Sequence, residues 1–177
     1  MQIMIKDIEA FCKVIEKEYI YYLYKNNESF PNCCQTSANL IASYLYVHYD
    51  NTFKHKKLIN HGWTGNDECM IDFTGSQFSI PLEMKNKLRY SNKLFNQEDI
   101  YNIVKKSQEE YPVFATSKSY YYNSWNNWEK IKPEICDLYG VEFAKEIQEP
   151  YTLSGFMQYV QNALNVIDKK VISARIY

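Results

Sequence analysis

Apolar residues recur every three or four positions in two stretches near the start of the chain, which is the spacing of one buried helix face. The first stretch begins after Asp7, a residue type favoured at helix N-caps, and ends near residues 26–27. The second follows Pro31, which disfavours helix immediately before it, so we expect that helix to start within residues 32–35. Its expected buried face is Ala38, Leu40, Ile41, Tyr44, Leu45 and Val47. Cys34 should therefore lie in the first turn of this helix.

The pattern changes to short runs typical of strands over residues 58–63 and 68–73. Residues 64–67, Thr-Gly-Asn-Asp, suit a hairpin turn between these strands. The later elements that we expect are helices near 97–110, 125–147 and 154–168 and a strand at 112–116. This order predicts an α+β fold, in which helices pack on a small, mostly antiparallel sheet.

The chain has 177 residues, of which 46% are hydrophobic, and this is enough for one domain with a substantial core. We expect a single domain over residues 1–177, with a core at about 30–120 and a helical elaboration at about 121–177. The net charge of −1 and a pI near 6.3 leave no basic excess to neutralise phosphates, so nucleic acid is not an expected partner.

The N-terminal residues lack the uninterrupted apolar segment of a signal peptide, and no stretch approaches the eighteen or so apolar residues of a membrane span. We expect a soluble protein with no membrane association. Its expected location is the cytoplasm, or outside the cell after export without a recognisable N-terminal signal peptide.

The five cysteines are an odd number without framework spacing, so reduced thiols are expected. No metal is expected, because the adjacent pair Cys33-Cys34 is not a CxxC motif and no second pair completes a tetrahedral set. No cofactor is expected either. Of the histidines outside the motifs below, His48 is expected at a helix end and His55 in a loop. Packed, unreactive thiols are expected at Cys12, Cys69 and Cys136.

Cys34, His61 and Asp72 follow one another in the order nucleophile, base and orienting carboxylate, the composition of a thiol catalytic triad. At a helix N-terminus the dipole stabilises a thiolate, and unpaired backbone N–H groups can stabilise the oxyanion formed when that thiolate attacks an amide. The two predicted strands would bring His61 and Asp72 within reach of each other. An aspartate between Ile71 and Phe73 is unfavourable in a strand unless it has a partner. Taken singly, each residue also has a purely structural explanation.

Three motifs together resemble the core of the transglutaminase-like branch of the papain-like cysteine peptidase superfamily. These motifs are Cys34-Gln35-Thr36-Ser37-Ala38, His61-x-Trp63 and Ile71-Asp72-x-Thr74-x-x-Gln77-Phe78. In that branch a Cys opens the core helix with a small residue four positions later, one strand carries His-x-Trp, and the next supplies an Asp often followed by a Thr. The chain also resembles bacterial proteins that share the HxW and IDxTxxQF motifs.

The resemblance covers about residues 30–78 and implies a papain-like core and a cysteine-dependent acyl-transfer enzyme. The implied activities are those of a peptidase, an amidase, a glutamine deamidase or a transglutaminase, each acting through a thioester on a protein or peptide substrate. The alternative is a protein-binding module that keeps the fold without catalytic competence. The sequence does not indicate the oligomeric state.

The chain departs from this family at two positions. The family's nucleophile commonly follows Gly or another small residue, where this chain has Cys33, so Cys33 is an alternative nucleophile. Helix register favours Cys34, because Ala38 lies four residues further on. The second departure is Gly62, where the family usually has Ala.

Two further residues in these motifs have expected roles outside the triad. We expect Trp63 to be a core or cleft-wall side chain. We expect Gln77 to be a structural amide at a strand end, with a place in the cleft or a hydrogen bond to the oxyanion as the alternatives.

Overall fold

A computed structural model describes residues 8–57, 61–66, 70–110, 121–122, 146–148, 157–174 and 176. The helices within these ranges are α1 (Ile8–Asn26), α2 (Cys34–His48), α3 (Ser76–Ser79), α4 (Leu82–Tyr90), α5 (Gln97–Glu110) and α6 (Met157–Ala174). The strands are β1 (Lys54–Lys57), β2 (Gly62–Gly65), β3 (Met70–Ile71), β4 (Tyr121–Tyr122) and β5 (Glu146–Gln148). The predicted α+β class is confirmed.

The strands form one sheet in the order β4-β3-β2-β1-β5, and every described pairing is antiparallel. In the centre of the sheet, Thr64 of β2 lies between His55 of β1 and Ile71 of β3. Helix α2 packs across β1 and β2. The prediction that the helix bearing Cys34 packs on a small antiparallel sheet is therefore confirmed.

Two buried hydrogen bonds fix the first turns of α2. The Thr64 hydroxyl donates to the Ala38 carbonyl at 2.6 Å and thereby joins α2 to β2. The Tyr19 hydroxyl donates to the Ser37 carbonyl at 3.2 Å and joins α2 to α1. Both donors are fully buried, so each bond is made where water cannot replace it.

The hydrophobic core lies between α1, α2, α5 and α6. Helix α1 buries the face that its sequence pattern predicts, including Phe11, Ile15 and Tyr19. Helix α6 packs against α1 and contributes Ala163, Ile167 and Val171, which are spaced four residues apart and fully buried. The described end of the chain thus packs against its beginning.

Several sequence predictions are wrong. Val47 is 59% exposed, because α2 is buried only as far as Leu45 and its last turn reaches the surface. His55 lies in β1 and not in a loop, and helices α3 and α4 were not predicted. The region at about 121–177, expected to be a helical elaboration, contains α6 but also supplies β4 and β5, which form the two edges of the sheet. Strand β5 overlaps the end of the helix expected at 125–147. The expected N-cap Asp7, the strand at 112–116, Cys69 and Cys136 lie outside the described residues.

Candidate active site

His61 and Asp72 lie at adjacent ends of two paired strands. His61 directly precedes β2 and Asp72 directly follows β3, and the antiparallel pairing brings these ends together. The Nε2 atom of His61 is 2.7 Å from Oδ2 of Asp72. His61 is 0% exposed and Asp72 is buried beside it, so the pair interacts where water screens little.

The second oxygen of Asp72 is held by Thr74. The Thr74 backbone N–H donates to Oδ1 at 2.9 Å, and the Thr74 hydroxyl donates to the same atom at 3.1 Å. The carboxylate therefore has one oxygen fixed by its own turn and the other directed at His61. This geometry explains how an aspartate is tolerated between two buried apolar residues.

Cys34 is the first residue of α2, as the sequence predicts. Burial alone would raise the pKa of its thiol, but a hydrogen bond from His61 and the charge of that ring act in the opposite direction. The Gly62 N–H and the Gln77 side chain also hydrogen-bond to the sulfur, and together these groups bring the pKa of Cys34 below its ordinary value.

The pKa of His61 changes in the complementary direction. Burial alone would lower it, but the charge and hydrogen bond of Asp72, with those of Cys34, raise it to about 9. A lowered thiol pKa beside a raised imidazole pKa favours the thiolate–imidazolium pair at neutral pH. The three predicted residues thus meet in one site.

Gln77 belongs to this site, contrary to the expectation of a structural amide at a strand end. It lies in the short helix α3 and is buried, and its side-chain amide is 2.8 Å from Nδ1 of His61. The amide nitrogen can donate to Nδ1 of the neutral ring, whereas the protonated ring requires the amide oxygen at this position. The sequence signal was its place in the IDxTxxQF motif, five residues after Asp72, which had left a place in the cleft as an alternative. The turn at Thr74 leads directly into α3, and this change of direction returns the chain to His61.

The neighbours Cys33 and Trp63 have structural positions. Cys33 is the N-cap residue of α2, and burial, followed by the adjacent Cys34, raises the pKa of its thiol far above the ordinary value. Its protonated thiol therefore lacks the activation that His61 gives Cys34. Trp63 is buried, as predicted, and its ring stacks 6.1 Å from that of His61 at an interplanar angle of 29°.

Comparison of the chain with protein-family models, with curated proteins and with solved structures found no match. Among the described residues, no group of three or more His, Cys, Asp or Glu side chains is arranged to hold a metal ion. None of the helices in the described ranges is both long and apolar enough to cross a membrane.

Proposed function

We propose that this protein is a cysteine-dependent amide hydrolase or acyl-transfer enzyme in which Cys34, His61 and Asp72 form the catalytic triad. The observation that carries the proposal is a buried imidazole that contacts a carboxylate at 2.7 Å and also hydrogen-bonds to a thiol at a helix N-terminus. A cysteine at the head of a helix packed on an antiparallel sheet also supports a transglutaminase-like, papain-like core. The proposed substrate is a protein or peptide.

In the acylation step, the Cys34 thiolate attacks the carbonyl carbon of the amide, and the carbonyl oxygen takes the negative charge. First-turn N–H groups of α2, which have no partner within the helix, can donate to this oxyanion. Because Asp72 contacts Nε2 of His61, Nδ1 is the nitrogen that exchanges a proton at the reacting centre. His61 protonates the leaving nitrogen as the C–N bond breaks, and a thioester remains on Cys34.

In the deacylation step, water or an amine attacks the thioester carbon. His61 accepts the proton of this nucleophile, and the C–S bond breaks to restore the thiolate–imidazolium pair. Water gives hydrolysis or deamidation, whereas an amine gives transamidation. Asp72 keeps the ring oriented and stabilises the imidazolium in both steps.

The first test measures the rate of alkylation of each cysteine by limiting iodoacetamide between about pH 5 and 9, with peptide mass spectrometry to assign the sites. We expect Cys34 to react at least about tenfold faster than Cys12 at pH 7, because His61 activates Cys34 whereas Cys12 is buried in the hydrophobic core. His61→Ala should raise the apparent pKa of Cys34 and remove most of this advantage.

A second measurement tests acyl transfer without knowledge of the natural substrate. With p-nitrophenyl acetate, we expect release of p-nitrophenolate, an acetyl adduct on Cys34 and its loss on turnover. Cys34→Ala should abolish the adduct, whereas Cys33→Ala should retain it. If Cys34 reacts no faster than Cys12, or if Cys33 carries the adduct, the proposed triad is wrong. A folded protein with five slow thiols would favour the protein-binding module instead.

A further inference from the structure

A second polar pair, the buried His55 and the partly buried Gln35, lies beside the candidate triad. His55 of β1 is fully enclosed, and its Nε2 atom is 2.6 Å from Oε1 of Gln35. Gln35 directly follows Cys34 in the first turn of α2. The pair therefore joins the start of the nucleophile helix to the strand next to β2.

The Gln35–His55 pair occupies the space that a side chain at position 62 would fill. His55 lies opposite Thr64, and alternation along β2 puts Gly62, two residues earlier, on the same face of the sheet. A Cβ atom on Gly62 would lie 2.7 Å from Gln35 Oε1 and 2.8 Å from His55 Nε2. Such distances are far below van der Waals contact, so any larger residue at position 62 would displace the pair or the strand.

The close approach at Gly62 matters because the N–H of this residue donates to the Cys34 sulfur. The direction of a backbone N–H is set by the position of its strand. A β2 strand that moved away from the first turn of α2 would carry this donor away from the thiolate.

We propose that Gly62 and the Gln35–His55 pair are positioning residues, which hold the start of β2 against the first turn of α2 and so keep the Gly62 N–H directed at Cys34. This inference rests on the proposed role of Cys34 as nucleophile. The absence of a side chain at position 62 permits the approach, and the hydrogen bond between Gln35 and His55 fixes it. The family that the chain resembles usually has Ala at this position, and the close approach of Gln35 and His55 gives a physical reason for Gly62 here.

The test compares the pH profiles of Cys34 alkylation in the wild type and in Gly62→Ala, His55→Leu and Gln35→Met. Each change should raise the apparent pKa of Cys34, so that alkylation at pH 6 falls by about fivefold or more through loss of a thiolate hydrogen bond. The rate at a pH where the thiol is fully ionised should stay within about twofold of the wild type, since intrinsic reactivity is retained. A general loss of structure would instead accelerate the alkylation of buried Cys12 and Cys33.

Matched controls are Gly65→Ala, at the other end of β2, and His48→Leu, at the end of α2; both should keep the wild-type profile. Circular dichroism identifies any variant that fails to fold, and Gln35→Met is the change least expected to prevent folding, because Gln35 is only partly buried. If the folded variants retain the wild-type profile, the positioning role is wrong while the triad stands. If wild-type Cys34 itself shows no activation by His61, the proposed function fails first.

Discussion

Two adjacent cysteines in this chain differ in acid–base behaviour because they have different partners. Cys34 receives hydrogen bonds from His61, Gly62 and Gln77, and these groups stabilise its thiolate more than burial destabilises it. For Cys33, burial dominates and keeps the thiol protonated. A displacement of one residue along the chain therefore decides which sulfur can act as a nucleophile.

At the residue scale, we predict that Asp72→Asn lowers the pKa of His61 well below its value of about 9. The carboxylate charge opposes the effect of burial, and without it burial favours the neutral ring. The imidazolium of the variant would then lose its proton at a lower pH than that of the wild type. We expect the proton affinity of the His61 ring to fall by about tenfold or more. Titration of the imidazole signals by NMR measures this change, and His61→Gln assigns the signal among three histidines.

Asp50→Asn is the matched control for this change. Asp50 follows α2 and accepts the Thr52 N–H at 2.8 Å, a bond that Asn can also accept. Its replacement should leave the His61 midpoint unchanged. A folded Asp72→Asn protein with a wild-type midpoint would show that Asp72 does not control the protonation of His61.

The residues of the candidate triad could be predicted from the sequence, whereas their supporting partners could not. Cys34 follows a recognisable helix start. Asp72 is a charged residue between two apolar residues, and burial of a charge costs free energy unless the charge has a partner. Gln77 lay in the IDxTxxQF motif, but neither its contact with His61 nor that of Gln35 with His55 was predicted. Amides are common on surfaces, and their roles depend on which side chains the fold brings to them. Their contacts with His61 and His55 span 16 and 20 residues of sequence.

At the element scale, helices with a clear apolar face were predicted well and short strands were not. Helix α5 has the predicted bounds, Gln97–Glu110, and α1 ends where expected. Strand β1 reads Lys-His-Lys-Lys and has no apolar alternation, so only its pairing with β2 and β5 makes it a strand. Such context dependence is general for strands, because packing against neighbours dominates their intrinsic preference.

The hydrogen bond from Thr64 to Ala38 should contribute measurably to the attachment of α2 to the sheet. We predict that Thr64→Val, which removes the hydroxyl and keeps the shape, lowers the free energy of unfolding by about 1 kcal/mol. The bond is fully buried, so water does not replace it. Urea denaturation followed by circular dichroism measures the change.

The same substitution at an exposed hydrogen bond provides the comparison. Thr52 accepts from Asn66 at 3.1 Å on the surface, where water competes, and Thr52→Val should change stability by less than about 0.5 kcal/mol. Equal effects of the two substitutions would contradict a specific role for the Thr64 bond.

At the scale of the whole molecule, described segments far apart in sequence support the candidate site together. Strands β4 and β5 lie at opposite edges of the sheet, and α6 packs on α1 and α2. The Tyr44 hydroxyl of α2 donates to Asp168 of α6 at 3.0 Å, a contact between residues 124 positions apart. The helix that carries Cys34 is thus held by the sheet on one side and by α1 and α6 on others.

This arrangement predicts that damage to α6 destabilises the helix bearing Cys34 as well. Ile167 is 0% exposed, and Ile167→Ala should cost about 2–5 kcal/mol through lost burial and a residual cavity. Pulsed alkylation at increasing urea reports the exposure of Cys12 in α1 and Cys33 in α2, and circular dichroism reports total helix. All three urea midpoints should fall together.

Ile172→Ala is the control, because Ile172 lies in the same helix but is 55% exposed. It should change the free energy of unfolding by less than about 0.5 kcal/mol. Loss of helix at low urea while both thiols stay protected would mean that α6 unfolds separately from the site.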